Sequence, residues 1–193
     1  MSKNNSMWMI VIVVAAIIGA MMGPALARNM SAGTLFVLFI VIIGGVIAFC
    51  VWALSSNKGA AKADAAAQAD AKAFNTVPGK GRIYIVRRGF VAALQGMNVS
   101  LDGTHKAQIK SGQMLLADVA PGSHSIHVET AKTSLSKPAD ISVNVAEGQV
   151  VIISASLEMG AMKGSILLTE TDPTVGRNDV QATNLMQWDA AAV

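Results

Sequence analysis

Two long apolar runs dominate the first 54 residues of the chain, and a different texture follows them. Residues 7–27 read MWMIVIVVAAIIGAMMGPALA and residues 35–54 read LFVLFIVIIGGVIAFCVWAL, with no charged side chain in either. A helix rises about 1.5 Å per residue, so a run of about 20 residues crosses the roughly 30 Å of bilayer hydrocarbon. Neither run alternates polar and apolar positions, which sets aside an amphipathic surface helix. The pattern predicts a membrane α-helical hairpin with spans at about 7–27 and 35–54. The first run has a second identity that stays open. Lys3, an apolar stretch and Ala25-Leu26-Ala27 after Gly23-Pro24 have the layout of a secretory signal cut after Ala27.

Residues 55–80 form an Ala-rich segment with interspersed Lys, Asp and Gln. Alanine favours helix but offers little area to bury. The expectation is a partly helical spacer, broken before Gly81 by Pro78 and its neighbouring glycines. From residue 81 the period becomes two, with turn residues every 8–12 positions. Strands are expected at 82–87, 97–101, 105–109, 114–119, 124–129, 140–145, 149–157 and 166–169. About seven to eight strands over 81–170 read as an antiparallel β-sandwich, because each alternating sheet must cover one apolar face. Asp102-Gly103 and Pro121-Gly122 are the structural turns that set hairpin register. Residues 171–193 read as a flexible tail carrying Leu185, Met186 and Trp188.

Composition narrows the class. The 193 residues are 52% hydrophobic and 14% charged, against about 25% charged in an ordinary soluble domain. This excludes intrinsic disorder. A net charge of +3 is too small for an electrostatic nucleic-acid binder. The single cysteine, Cys50, allows no intramolecular disulfide and no thiolate cluster. Lys3, Lys58, Lys62 and Lys72 flank the spans on one side and Arg28 alone lies between them. The excess of basic residues places both ends in the cytoplasm, with a periplasmic head as the alternative. Gly19 and Gly23 form a GxxxG, and Gly44-Gly45 adds a second smooth patch. These glycines are helix-packing candidates, within the hairpin or between copies of the chain.

The head offers little chemistry. Of its three histidines, His124 and His127 lie three apart on one strand and so point to opposite faces. No metal site is expected. No phosphate loop, nucleophile elbow or zinc helix motif occurs. Gly79-Lys80-Gly81 lacks the leading glycine and precedes a strand where a phosphate loop needs a helix. No catalytic residue and no cofactor is assigned, and an enzyme is not expected. Nine basic and ten acidic residues from position 81 onward leave no broad basic face. Arg87, Arg88 and Trp188 remain as candidate partner contacts.

Arg82-Ile83-Tyr84-Ile85, Val99-Ser100-Leu101-Asp102-Gly103 and Pro121-Gly122-Ser123-His124 together resemble the PEGA-type family of bacterial β-sandwich modules of unknown function. The likeness covers about residues 81–157 and lacks a literal P-E-G-A run. It implies an immunoglobulin-like or PEGA-like sandwich and is silent on activity. The combined expectation is a multi-pass protein of the bacterial inner membrane, in contact with lipid. Its non-enzymatic sandwich serves as a tether, scaffold or accessory subunit for an unknown protein partner. The alternative is an envelope-facing module that binds glycan or cell wall.

Overall fold

The computed structural model describes residues 30–158, 160 and 163–189, together with Gly23 and Arg28. The expected first span, with Gly19, lies outside the described residues, apart from Gly23, which is helical and exposed. The chain divides into two units, one ending at Ser55 and one from Ser56 onward.

In the first unit the helix α1 runs from Ala32 to Leu54. Its 23 residues correspond to about 35 Å of rise. Ser31 caps it, its Oγ accepting from the Thr34 N–H at 3.2 Å, and thereby satisfies one of the free amides of the first turn. At the other end Ser55 donates to the Trp52 carbonyl at 2.7 Å. None of its residues is buried. The helix is long and apolar enough to cross a membrane.

The second unit is predominantly β. Its strands are β1 (Gly81–Arg87), β2 (Met97–Leu101), β3 (His105–Ile109), β4 (Gln113–Val119), β5 (Gly122–Thr130), β6 (Ser136–Lys137), β7 (Ala139–Val145), β8 (Val150–Glu158), β9 (Gly164–Thr171) and β10 (Asn184–Leu185). Two short helices complete it, α2 (Ala65–Ala73) and α3 (Pro173–Gln181). One sheet has the order β10-β4-β1-β8-β9-β6 and the other β3-β2-β5-β7. The four-stranded sheet is wholly antiparallel. The six-stranded sheet is mixed, because β1 runs parallel to β8, β10 to β4 and β6 to β9. The all-antiparallel expectation is corrected there.

The alternation in β1 explains the architecture. Ile83 and Ile85 join Val99, Leu101, Ile126 and Val128 of the other sheet in one core. Tyr84 and Val86 point the opposite way, to a second cluster with Met114, Ile152, Ala71 of α2 and Val180 of α3. The central strands are thus apolar on both faces, as strands covered on both sides are. Gly81 opens β1 because the backbone there is crowded. An added Cβ would lie 2.2 Å from Val145 Cγ1 and 2.8 Å from the Ala146 oxygen.

Two segments fold where the sequence reading leaves them loose. Residues 56–80 belong to this unit and are not a spacer. Lys58 and Gly59 amides donate to Gln108 Oε1, Ala63 N–H donates to the Leu185 carbonyl, and α2 is capped by Asp64. The burial of Ala71 shows why alanine suffices: a small side chain lets the helix lie close to Tyr84, whose hydroxyl donates to the Ala71 carbonyl at 2.7 Å. Residues 171–189 are likewise not a free tail. Asp172 caps α3, Pro173 occupies its first turn, and Met186 N–H donates to the Met114 carbonyl at 2.9 Å. The cap and the proline are the start signals of a helix.

Candidate functional site

The expected turn residues form one constellation. Asp102 and Gly103 both have positive φ, at 52° and 71°, the requirement of a tight hairpin between right-twisted strands. Asp102 tolerates that conformation because its carboxylate is used. Oδ1 accepts from the Ser125 N–H at 2.8 Å and Oδ2 faces His124 Nδ1 at 2.6 Å. His124 Nε2 lies 2.8 Å from the Ala120 carbonyl, beside Pro121-Gly122. The imidazole therefore bridges the β2–β3 turn to the β4–β5 turn.

Both His124 nitrogens face atoms that can only accept. The two bonds form together only in the doubly protonated imidazolium. The hydrogen bond to Asp102 raises the His124 pKa above 6.5, burial opposes the rise, and the Ala120 carbonyl adds to it. Asp102 is held below the ordinary carboxylate range. Burial acts against this, and the bonds from His124 and the Ser125 amide outweigh it. His127 faces Asp140 Oδ1 at 2.7 Å on the other face of β5, so the two histidines diverge as their spacing requires. Among the described residues no group of three His, Cys, Asp or Glu side chains is placed to hold a metal ion.

The candidate partner contacts separate into different roles. Arg87 is buried and is removed from the list of surface contacts. Its guanidinium donates to the carbonyls of Gln95, Ile109 (3.2 Å) and Ala92 (2.8 Å). Burial pulls its pKa down to about 10, which leaves it charged at neutral pH. It ties the β1–β2 loop to the end of β3. Arg88 is exposed and pairs with Asp179 of α3 at 2.5 Å. Trp188 packs against the core and its Nε1 donates to the Leu116 carbonyl at 2.7 Å. Its ring meets the His105 ring edge-on, with centroids 5.7 Å apart. It is a fastening of the chain on itself, not a free anchor. Around Gly44, Gly45 and Gly23 no described atom lies within 4 Å of a built Cβ, so these positions are open.

A third arginine enters the sequence reading only as part of the first-strand motif and not as a site residue. Arg82 is buried, its Nε donating to Asp118 Oδ1 at 2.7 Å and one Nη to Asp70 at 3.0 Å. Desolvation works against its charge, but Asp118 and Tyr84 together outweigh it and the pKa is raised. Its signal was the register itself: Arg82 and Asp118 are cross-strand partners in β1 and β4. The sheet edges are also mostly occupied. The outer carbonyls of β3 accept from Ala60 and Asp189, and the edges at β6 and β10 are two residues long. β7 is the long edge strand.

No known protein-family model matches the chain, and no curated protein matches it.

Proposed function

We propose that this chain is a membrane-anchored, non-enzymatic protein whose β-sandwich head acts as a tether, scaffold or accessory subunit through protein–protein contacts. One observation carries the reading: α1 presents 23 apolar-rich residues with none buried, including Phe36, Phe39, Ile40, Ile47 and Phe49. Such a surface is stable in lipid and costly in water. Trp52 sits in its last turn, the position of an interfacial aromatic. Residues 7–27 supply the return span of a hairpin, and Gly44-Gly45 offers a close-packing face toward that span or a second copy. Lys58, Lys62 and Lys72 follow α1, and this excess of basic residues supports a head on the cytoplasmic side of a bacterial membrane. The head resembles a PEGA-like module and meets its protein partner along the β7 edge and the turns joined by His124.

The test uses full-length protein in sealed inner-membrane vesicles of known sidedness. The expected result is co-flotation with lipid, resistance to alkaline extraction, and digestion of the head only from the cytoplasmic face. A head digested only from the periplasmic face would overturn the tether and favour the envelope-facing reading. Recovery in the soluble fraction would overturn the anchor.

A further inference from the structure

The loop between β1 and β2 exposes the wrong residues for a surface in water. Phe90 is 95% exposed and Leu94 is 70% exposed. Single exposed apolar residues are common on protein surfaces, but this pair stands on one short loop that is held rigidly from beneath. Arg87 grips the carbonyls of Ala92 and Gln95. Ser111 Oγ donates to the Gly89 carbonyl at 2.7 Å. Ala92 is kept at a φ of 48°, a conformation L residues rarely adopt. The buried Arg87 thus fixes the backbone of a loop from which two large apolar side chains project.

The position of the loop along the chain says what surrounds it. Asn57 Nδ2 donates to the Leu94 carbonyl at 2.7 Å, and its Oδ1 accepts from the Gly96 N–H at 2.7 Å. Asn57 is three residues beyond Leu54, the last residue of α1. Consecutive Cα atoms are 3.8 Å apart, so chain length alone keeps Asn57 within about 11 Å of the end of the apolar helix. The same end of the head carries cations. Lys58 is exposed beside Asn57, Arg88 precedes the loop, and Lys110 and Lys132 follow the ends of β3 and β5 that register with Met97. Acidic groups at this end are Asp179, paired with Arg88, and Glu129, bonded to Asn98.

We propose that residues 88–95 form a second membrane contact, with Phe90 and Leu94 inserted at the headgroup–acyl boundary and the surrounding cations against anionic headgroups. Aromatic and aliphatic side chains flanked by basic ones are the composition of interfacial anchors. The proposal rests on the reading of α1 as a membrane span. Its occupant is the bilayer and not a protein, because the loop is bonded to the residues that leave that span.

The test uses the full chain with Cys50→Ser, reconstituted in vesicles of mixed zwitterionic and anionic phospholipid. An environment-sensitive fluorophore is attached to Phe90→Cys, Leu94→Cys or, at the other end of β2, Thr104→Cys. Flotation reads the span; fluorescence reads the loop. The expected result is flotation of all three, with blue-shifted emission at 90 and 94 that is quenched by lipid bearing a headgroup nitroxide, and water-like, unquenched emission at 104. Adding Phe90→Ser to the Leu94→Cys protein is expected to reduce the quenching at 94 without moving the thermal unfolding of the head. Flotation with water-like emission at 90 and 94 would overturn the loop proposal and leave the span intact. Equal quenching at 104 would also overturn it. Failure to float would overturn the span and the loop together.

Discussion

The two ends of the β2–β3 hairpin are fastened by different chemistry. At the Met97 end the fastening is made of amides and a buried arginine. Gln108 Oε1 accepts from Lys58 and Gly59, its Nε2 donates to Asn98 and Ser56, and Arg87 collects three carbonyls. At the Leu101 end it is made of one imidazole and one carboxylate, His124 and Asp102. Neutral amide bonds hold their strength across the physiological pH range. A histidine–carboxylate bond does not. The first end holds the chain where it enters the head from α1, and the second shapes two hairpin tips. The contrast assigns a constant attachment to one end and a condition-dependent surface to the other.

Removing Arg87 gives the largest expected loss. Arg87→Ala leaves a cavity and takes the guanidinium donor from the buried carbonyls of Gln95 and Ile109, and each buried acceptor left unpaired costs about 1–3 kcal/mol. The outcome is a head that is largely unfolded or loses roughly 3 kcal/mol or more, read by chemical denaturation. Arg87→Lys is expected to recover only part of it, because an ammonium cannot present the planar fork. Full stability of Arg87→Ala would mean that the loop does not depend on the guanidinium.

Gln108→Ala comes next, at about 1–3 kcal/mol, since the backbone amides of Lys58 and Gly59 lose a common acceptor. Hydrogen exchange should accelerate at those two amides before it does in β4. Gly96→Ala attacks the same place sterically: its Cβ would stand 2.6 Å from Gln108 Oε1 and 2.9 Å from Asn57 Oδ1. Both side chains would have to let go of their partners. Unchanged exchange in Gln108→Ala would refute the role of that amide as the fastening of residues 56–59.

How much of this was legible beforehand differs between the ends. The Leu101 end is local: Asp102-Gly103 and Pro121-Gly122 are turn signals a few residues long, and strands β2 and β3 fall at the expected 97–101 and 105–109. At the Met97 end the bonds that bring in residues 56–59 cross 37 to 52 residues of chain, Asn57 to Leu94 and Ser56 to Gln108. No local pattern encodes such pairing. Arg87 reads as a solvated strand end because burial of arginine is rare, and only the three carbonyls around it make that burial tolerable. The Ala-rich segment reads as a spacer because small side chains bury little area, yet small size is what lets α2 lie close to Tyr84. Trp188 misleads because its partner is distant in sequence: its indole donor finds the Leu116 carbonyl 72 residues away.

The condition-dependent end is tested with His124→Gln. His124 has a raised folded pKa, so its contribution is fully present below the unfolded value of 6.5 and is lost as pH rises through the folded value. Asp102 has a lowered folded pKa, so its share is present above the ordinary carboxylate pKa of 3.8 and lost as pH falls through the folded value. The pair therefore stabilises most in the mildly acidic window between them. Asp102 is 37% exposed, and solvent screening limits the effect to about 1 kcal/mol. The stability gap between wild type and His124→Gln should be widest between the ordinary values of 3.8 and 6.5 and shrink as pH rises through the raised folded value of His124. A gap that grows with rising pH would contradict the imidazolium assignment.

The smallest effect belongs to a pair that looks the same by distance. His127 meets Asp140 at 2.7 Å, against 2.6 Å for His124 and Asp102. The exposures differ: 44% and 77% for His127 and Asp140, 13% for His124. Among the described residues the His127 ring has one hydrogen-bond partner, Asp140, where the His124 ring has two, Asp102 and Ala120. Water competes for both partners, so the ordering cost of the side chains offsets most of the attraction. His127→Ala should change stability by less than about 0.5 kcal/mol in the same titration. A loss as large as that of His124→Gln would show that the length of a histidine–carboxylate bond, and not its burial or what it joins, sets its contribution in this head.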